Sequence, residues 1–341
     1  MDKVAALESD ERSQLFQETA SDRGMSAAIV EKDFWVCWVL KRIFSDSELS
    51  SRIVFKGGTS LSKVFGLIER FSEDVDLILD WRLIGYGPGQ KDPFRNQPSK
   101  TQQDRFNAEF NERAATYIGE TLCPQLRELF ALCPQVSVGI DPNQHQVVNV
   151  EYPAAFPLEY MRPQVRLEIG PLASFVPHDS HMIQPYAAQS FPEVFDNPDC
   201  PVIALDPDRT FWEKATILHQ QAHRTNTMPS RYSRHYYDMY CLANSKVKNK
   251  ALNDLELLKD VVDFKRRFYP SPWARYEDAR PGTFRLVPKR ARLDELERDY
   301  GQMEVMIFGE VPRFGHIVDT LRLLEKEINQ LTPSQPMVNS Q

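Results

Sequence analysis

Residues 56–76 read KGGTSLSKVFGLIERFSEDVD, and the order of textures in this stretch decides the fold. Residues 52–55 just upstream form a short β-type run, and Gly57-Gly58 breaks it. Leu61, Val64, Phe65 and Ile68 then recur at helical spacing over 60–70, before an extended run resumes at 75–79. The order is strand, glycine-rich turn, helix, strand. Side chains alternate across a strand, so Asp74 and Asp76 project from one face with their carboxylates close together. Two like charges so placed repel, and a hard divalent cation such as Mg²⁺, which favours one or two carboxylates plus phosphate oxygens, would relieve the repulsion. At the other end of the stretch, Gly57 and Gly58 permit close backbone approach. The first N–H groups of the helix then point outward as a phosphate cradle, to which Thr59 and Ser60 add hydroxyl donors and Lys63 a cation one turn in. An isolated D-x-D far more often marks a solvated strand edge or turn, and a lone GGTS is weak. A cradle followed by a helix and then by D-x-D on the next strand juxtaposes phosphate and metal chemistry, as nucleotidyl transfer requires.

Outward from this centre, residues 26–45 carry Ile29, Val30, Phe34, Cys37, Trp38 and Leu40 near helical spacing behind Ser26 as N-cap, which predicts a largely buried helix. Residues 85–100 are dense in Gly, Pro and polar residues and read as a surface loop before a long helix over 104–132. Strand-like runs follow at 135–140, 146–152 and 164–169, which with the two earlier strands suffice for one mixed sheet. Proline-rich residues 174–201 lack periodicity and place the domain boundary. Beyond them, Asp206-Pro207 opens a helix through 222, and further helices fit 233–243, 253–268, 293–308 and 316–330. The expected fold is α+β: a mixed sheet with flanking and N-terminal helices over 1–180, a linker at 181–199, a helical domain at 200–332 and a flexible tail at 333–341.

With 341 residues the chain is long enough for two domains. Its net charge of −7 argues against indiscriminate coating of nucleic acid but leaves room for a local basic groove, for which 265–267 and 289–292 are candidates. No apolar run reaches the length of a membrane span, and the acidic N-terminus lacks the pattern of a secretory signal, so a cytoplasmic protein is expected. The five cysteines are scattered without a C-x-x-C pair, so no disulfide framework or zinc site is indicated.

The stretch 57–76 resembles the nucleotidyltransferase superfamily of DNA polymerase beta type, and more closely the AbiEii/AbiGii toxin family, whose pattern is GGT-x-L-x-K and then R-x-S-x-D-x-D. The matching residues are Gly57, Gly58, Thr59, Leu61 and Lys63, then Arg70, Ser72, Asp74 and Asp76. EKDFWV at 31–36, VEYP at 150–153, VRLEI at 165–169, WEK at 212–214, RHYYD at 234–238 and DYGQM at 299–303 extend the likeness over most of the chain. The resemblance implies an enzyme that moves a nucleoside monophosphate from an NTP to an acceptor, with Mg²⁺ or Mn²⁺ as cofactor. It implies a third carboxylate on a later strand, for which Glu168 is the choice and Glu151 the rival. It also implies that Lys214 neutralises triphosphate charge, that Asp238 is the family's later catalytic aspartate, and that Gly57 to Ser60, Lys63, Arg70 and Ser72 bind the nucleotide in a cleft between the domains. Without the resemblance, Arg234 and Asp238 read as an ordinary i,i+4 surface pair.

Relatives of this kind are toxin components of type IV toxin–antitoxin or phage-abortive systems, which implies a cognate antitoxin as partner and a tRNA 3′ end, or else a protein hydroxyl, as acceptor. The competing reading is a catalytically degenerate nucleotide-binding module that acts through protein or RNA partners. The intact Asp74 and Asp76 disfavour it. A metal-dependent phosphohydrolase would want histidines near the aspartates, and none precedes residue 145.

Overall fold

The computed structural model describes residues 1–72, 74–87, 91–95, 97–156, 163–171 and 177–332. The expected tail at 333–341 and parts of the 85–100 stretch lie outside them. Two compact units divide the chain: Met1–Gly66 with Arg70–Asp206, and Leu67–Glu69 with Pro207–Gln341.

The first unit is built on a mixed sheet of β1 (Ile53–Lys56), β2 (Asp74–Leu79), β3 (Ser137–Ile140), β4 (Val147–Glu151), β5 (Gln164–Gly170), β6 (His178–Ile183) and β7 (Cys200–Leu205). Its order is β3-β4-β5-β2-β1-β7-β6. The pairs β2–β5 and β1–β7 are parallel and the other four antiparallel. Alternation divides the faces. Val75, Leu77, Val165, Leu167 and Ile169 join the main apolar core, which leaves Asp74, Asp76, Arg166 and Glu168 on the opposite face.

Against the apolar face lies the helix Ala27–Ser45, buried almost all round through Val30, Phe34, Trp35, Trp38 and Leu40. Each such side chain contributes roughly 1.5–3 kcal/mol by leaving water. Trp35 also stacks on Tyr152, with ring centroids 5.4 Å apart. Ser26 is the N-cap residue, as its position predicts, but its side chain makes no capping hydrogen bond.

Three expectations change. The helix opened by the glycines runs only over Gly57–Lys63 instead of to residue 70, because the chain turns away at Gly66, whose φ of 59° lies in the left-handed region. The long helix near 104–132 is continuous in path but interrupted. Lys100–Tyr117 passes through a π-helical turn at Ile118–Leu122 into Cys123–Phe130, which accommodates Pro124 without an α-helical donor. The presumed linker at 181–199 instead belongs to the first unit: it carries the end of β6 and the helix Tyr186–Ser190, and leads into β7. Its prolines mark element starts, with Pro185 at an N-cap and Pro192 opening a 3₁₀ turn, so they read from sequence like punctuation in a connector.

The second unit is helical: Pro207–His223, Ser233–Ala243, Lys246–Leu252, Leu255–Phe268, Arg290–Met303 and Phe314–Gln330 are its main elements. It takes in Leu67–Glu69, where the N–H of Phe308 donates to the carbonyl of Glu69 at 2.9 Å. Among the described residues no helix is long and apolar enough to cross a membrane.

Candidate active site

At the end of β1 the chain passes into the Gly57–Lys63 helix directly beside β2, with Lys56 paired in register to Asp76. Gly57 has a φ of 82°, and a Cβ placed there would lie 1.9 Å from the Oδ2 of Asp76. Only glycine therefore satisfies both the backbone and the packing of the carboxylate against the turn. Gly58 is equally constrained: a Cβ there would meet the Nη2 of Arg70 at 2.9 Å and the Oγ of Ser72 at 3.0 Å. The two halves of the motif are thus packed together, with Asp76 against the first glycine and Arg70 and Ser72 against the second.

The hydroxyls of the turn are committed within the protein. Thr59 Oγ1 donates to the carbonyl of Asp74 at 2.5 Å, and Ser60 Oγ donates to the carbonyl of Gly57 at 3.0 Å. Both side chains are buried, Thr59 fixing the turn to β2 and Ser60 closing the turn on itself. Arg70 is buried as well and donates to the carbonyl of Phe71 at 3.0 Å.

Lys63 departs furthest from expectation. Its Nζ lies 2.7 Å from Asp33 Oδ1, donates to the carbonyl of Gln184 at 2.9 Å and sits 3.8 Å from the centre of the Tyr186 ring. Burial works against the ammonium charge, but the Asp33 carboxylate outweighs it and the lysine pKa is pushed up. Lys63 is an internal strut of the unit and not a phosphate ligand. Its partner Asp33, from EKDFWV, also accepts the Tyr186 N–H at 2.7 Å.

Strand register assembles the carboxylates. Asp74 stands opposite Arg166 and Asp76 opposite Glu168 on the parallel pair β2–β5. Glu151 stands opposite Gln164 near the other end of β5 and accepts from Ser137 Oγ at 2.9 Å. Arg166, which the sequence reading passed over, occupies the middle of the acidic group. Its Nε is 3.2 Å from Glu168 Oε1 and 3.5 Å from Asp74 Oδ1, its Nη1 3.0 Å from Asp141 Oδ2, and its Nη2 2.8 Å from Gln144 Oε1. The signal was present, since residues 166 and 168 share a face by the alternation that selected Glu168. Hydrogen bonds from the Asn143 N–H and the Asn149 amide, reinforced by Arg166, hold the Asp141 carboxyl below its usual range.

The donor chemistry suits a hard divalent cation: Asp74, Asp76 and Glu168 offer only oxygens, from one face of two adjacent strands. Among the described residues no three Asp, Glu, His or Cys side chains are grouped to hold a metal ion. Arg166 itself engages Asp74 and Glu168. The residues therefore fit an ion held by two carboxylates, Asp74 and Asp76, and completed by phosphate oxygens, with Glu168 at hand across the register.

In the second unit, Lys214 of the Pro207–His223 helix and Asp238 of the Ser233–Ala243 helix form an ion pair at 2.6 Å, with both side chains buried. Asp238 is fully enclosed, so it is not the solvated surface carboxylate that its spacing from Arg234 allows.

A mixed sheet that packs a glycine-rich turn against paired carboxylates, followed by a helical unit, is the architecture expected of a nucleotidyltransferase. The chain belongs to the AbiEii family, the nucleotidyl transferase toxins of type IV toxin–antitoxin systems, whose family model matches residues 38–321. Two solved structures are similar. MenT4, a nucleotidyltransferase toxin from Mycobacterium tuberculosis H37Rv, is 18% identical with a TM-score of 0.49, over 94% of this chain and 90% of its own. JHP933 from Helicobacter pylori is 13% identical with a TM-score of 0.40, over 88% of this chain and 93% of its own. At these values neither carries an argument beyond the family assignment. No curated protein matches significantly.

Proposed function

We propose that the protein is an active, Mg²⁺-dependent nucleotidyltransferase that moves a nucleoside monophosphate from an NTP to the 3′ end of a tRNA, as a toxin of phage defence held in check by a cognate antitoxin. The observation that carries this reading is the contact of the Asp76 carboxylate with Gly57, which brings the metal-binding chemistry of β2 against the N-terminal N–H groups of the Gly57–Lys63 helix. Those N–H groups bind triphosphate oxygens, and Gly58 lets the phosphates approach the backbone. Asp74 and Asp76 hold Mg²⁺, which when bound neutralises the triphosphate and lowers the pKa of the attacking hydroxyl. Glu168, the most exposed of the three carboxylates beside Arg166, accepts the hydroxyl proton. The acceptor oxygen then bonds to the α-phosphorus as the bond to the β-phosphate oxygen breaks, and pyrophosphate leaves. Within the helical unit, the Lys214–Asp238 pair is the candidate for a charge-neutralising role, with the aspartate holding the lysine.

The test is incubation of the purified protein with each labelled NTP, Mg²⁺ and total tRNA, with a protein lysate as the second acceptor. Label should pass to tRNA, and Asp76→Ala should abolish the transfer. Equal transfer by Asp76→Ala, or none by the native protein, overturns the enzymatic reading. Tight NTP binding without transfer would leave the nucleotide-binding module in its place.

A further inference from the structure

Arg166 is surrounded by more negative charge than it can neutralise: one guanidinium faces Asp74, Asp141 and Glu168. Its bonds are graded. The two short ones, to Gln144 at 2.8 Å and Asp141 at 3.0 Å, lie on the side of the β3–β4 connection. The two long ones, 3.2 Å to Glu168 and 3.5 Å to Asp74, go to the carboxylate assigned above to the hydroxyl proton and to one of the two assigned to the metal. The arginine is only partly buried, with 19% of its side chain exposed, so its charge is not itself sequestered. Asp141 is held from behind by Asn143 and Asn149, which makes it an anchor that does not follow the guanidinium.

We propose that Arg166 is an internal competitor of the divalent cation. It occupies Asp74 and Glu168 in the cation-free protein through its two weak contacts, yields them when an ion binds, and is kept within reach by Asp141 and Gln144. Arg166 thereby sets the ion concentration at which the site fills, and keeps the carboxylates from repelling one another when no ion is present. It is a positioning residue: it touches the metal ligand Asp74 and the proton acceptor Glu168, and not the substrate. The inference rests on the reading of Asp74 and Asp76 as metal ligands.

The test is binding of Mn²⁺ to the full-length protein without nucleotide, followed by calorimetry and by the electron paramagnetic resonance of the free ion. Removing one positive charge a few ångströms from a dication site should tighten binding about tenfold in Arg166→Met. Arg166→Lys, which restores the charge, should bind within about twofold of the native protein on the same grounds. A third variant guards against misfolding: Gln144→Ala alters an exposed, uncharged side chain. It frees one anchor of the guanidinium, which should then bind Glu168 and Asp74 more firmly and weaken Mn²⁺ binding about two- to threefold, the low end for a single hydrogen bond because this one is exposed to water. A purely structural arginine predicts no change in Gln144→Ala. Native-like or weaker Mn²⁺ binding by Arg166→Met, with the native protein binding normally, overturns the proposal alone. If neither protein binds Mn²⁺, the carboxylate reading fails and the competition falls with it.

Discussion

The two units each contain a buried lysine–aspartate pair of nearly equal length, 2.7 Å for Lys63–Asp33 and 2.6 Å for Lys214–Asp238, and their surroundings differ. Around Lys63 every group is engaged: the ammonium has a carboxylate, a carbonyl and an aromatic face, and Asp33 has a backbone N–H as well. Lys214 has Asp238 as its ion-pair and hydrogen-bond partner among the described residues, so a group with three donors has one committed. A lysine satisfied on all sides is a strut, whereas one held by a single contact retains donors for an anion. Identical residue types at similar depth thus differ in how many partners they hold.

Breaking one side of the strut should have the largest effect. Asp33→Ala leaves the Lys63 charge buried and uncompensated, at a cost of about 3–5 kcal/mol in unfolding free energy measured with urea. A loss below about 1 kcal/mol would mean that the pair is exposed in solution. Charge-neutral double replacements separate the two pairs. Lys63→Met with Asp33→Asn should keep most of the nucleotidyl transfer, while Lys214→Met with Asp238→Asn should lower it by about 10²–10³-fold, as loss of a charge-stabilising group does. Equal losses at both would erase the distinction.

Acid should sharpen the contrast next, because the second unit carries a buried histidine. His219 accepts the Arg285 N–H at Nδ1 and contacts the Arg275 carbonyl through Nε2, which uses both nitrogens of the neutral ring. Burial pushes its pKa down to about 4. The unfolded chain therefore takes up the proton first, near the ordinary histidine value, and the folded unit only near 4. Stability from this group is complete above about pH 6.5 and is lost as pH falls towards 4, by on the order of 3 kcal/mol. His219→Gln should flatten that decline in thermal melts taken across the window, and an unchanged slope would assign the acid sensitivity elsewhere.

The smallest effect on folding is expected at Gly57. Gly57→Ala forces a Cβ into the left-handed region at about 1–3 kcal/mol and displaces the Asp76 carboxylate it would meet. Transfer should fall far more than stability. If the two decline in proportion, the contact between turn and carboxylate is structural only.

How far the sequence reached differs along the chain. The strand–turn–helix–strand order, the buried helix behind Ser26 and the polar face that Glu168 occupies were all legible, because period-2 and helical alternation report local backbone geometry directly. The shortened helix at Lys63 was not, since Val64, Phe65 and Ile68 keep helical spacing while Gly66 turns the chain and Leu67–Glu69 join the second unit. Strands β6 and β7 were hidden by prolines that mark their surroundings, and β6 reads HDSHMI, polar at most positions, as an edge strand is free to be.

By itself the sequence determined which chemistry is available: two carboxylates on one face of a strand, two glycines before a helix, and a family pattern spread over most of the chain. Which side chains are free to perform that chemistry was decided by the tertiary structure alone. Lys63 meets Asp33 from a helix 30 positions upstream, Thr59 and Ser60 spend their hydroxyls on backbone carbonyls, and Arg166 enters the carboxylate group through the register of β2 with β5. The physical reason is that a polar group is assigned by the partners that reach it, and partners distant in sequence become neighbours only when the sheet and its helices pack.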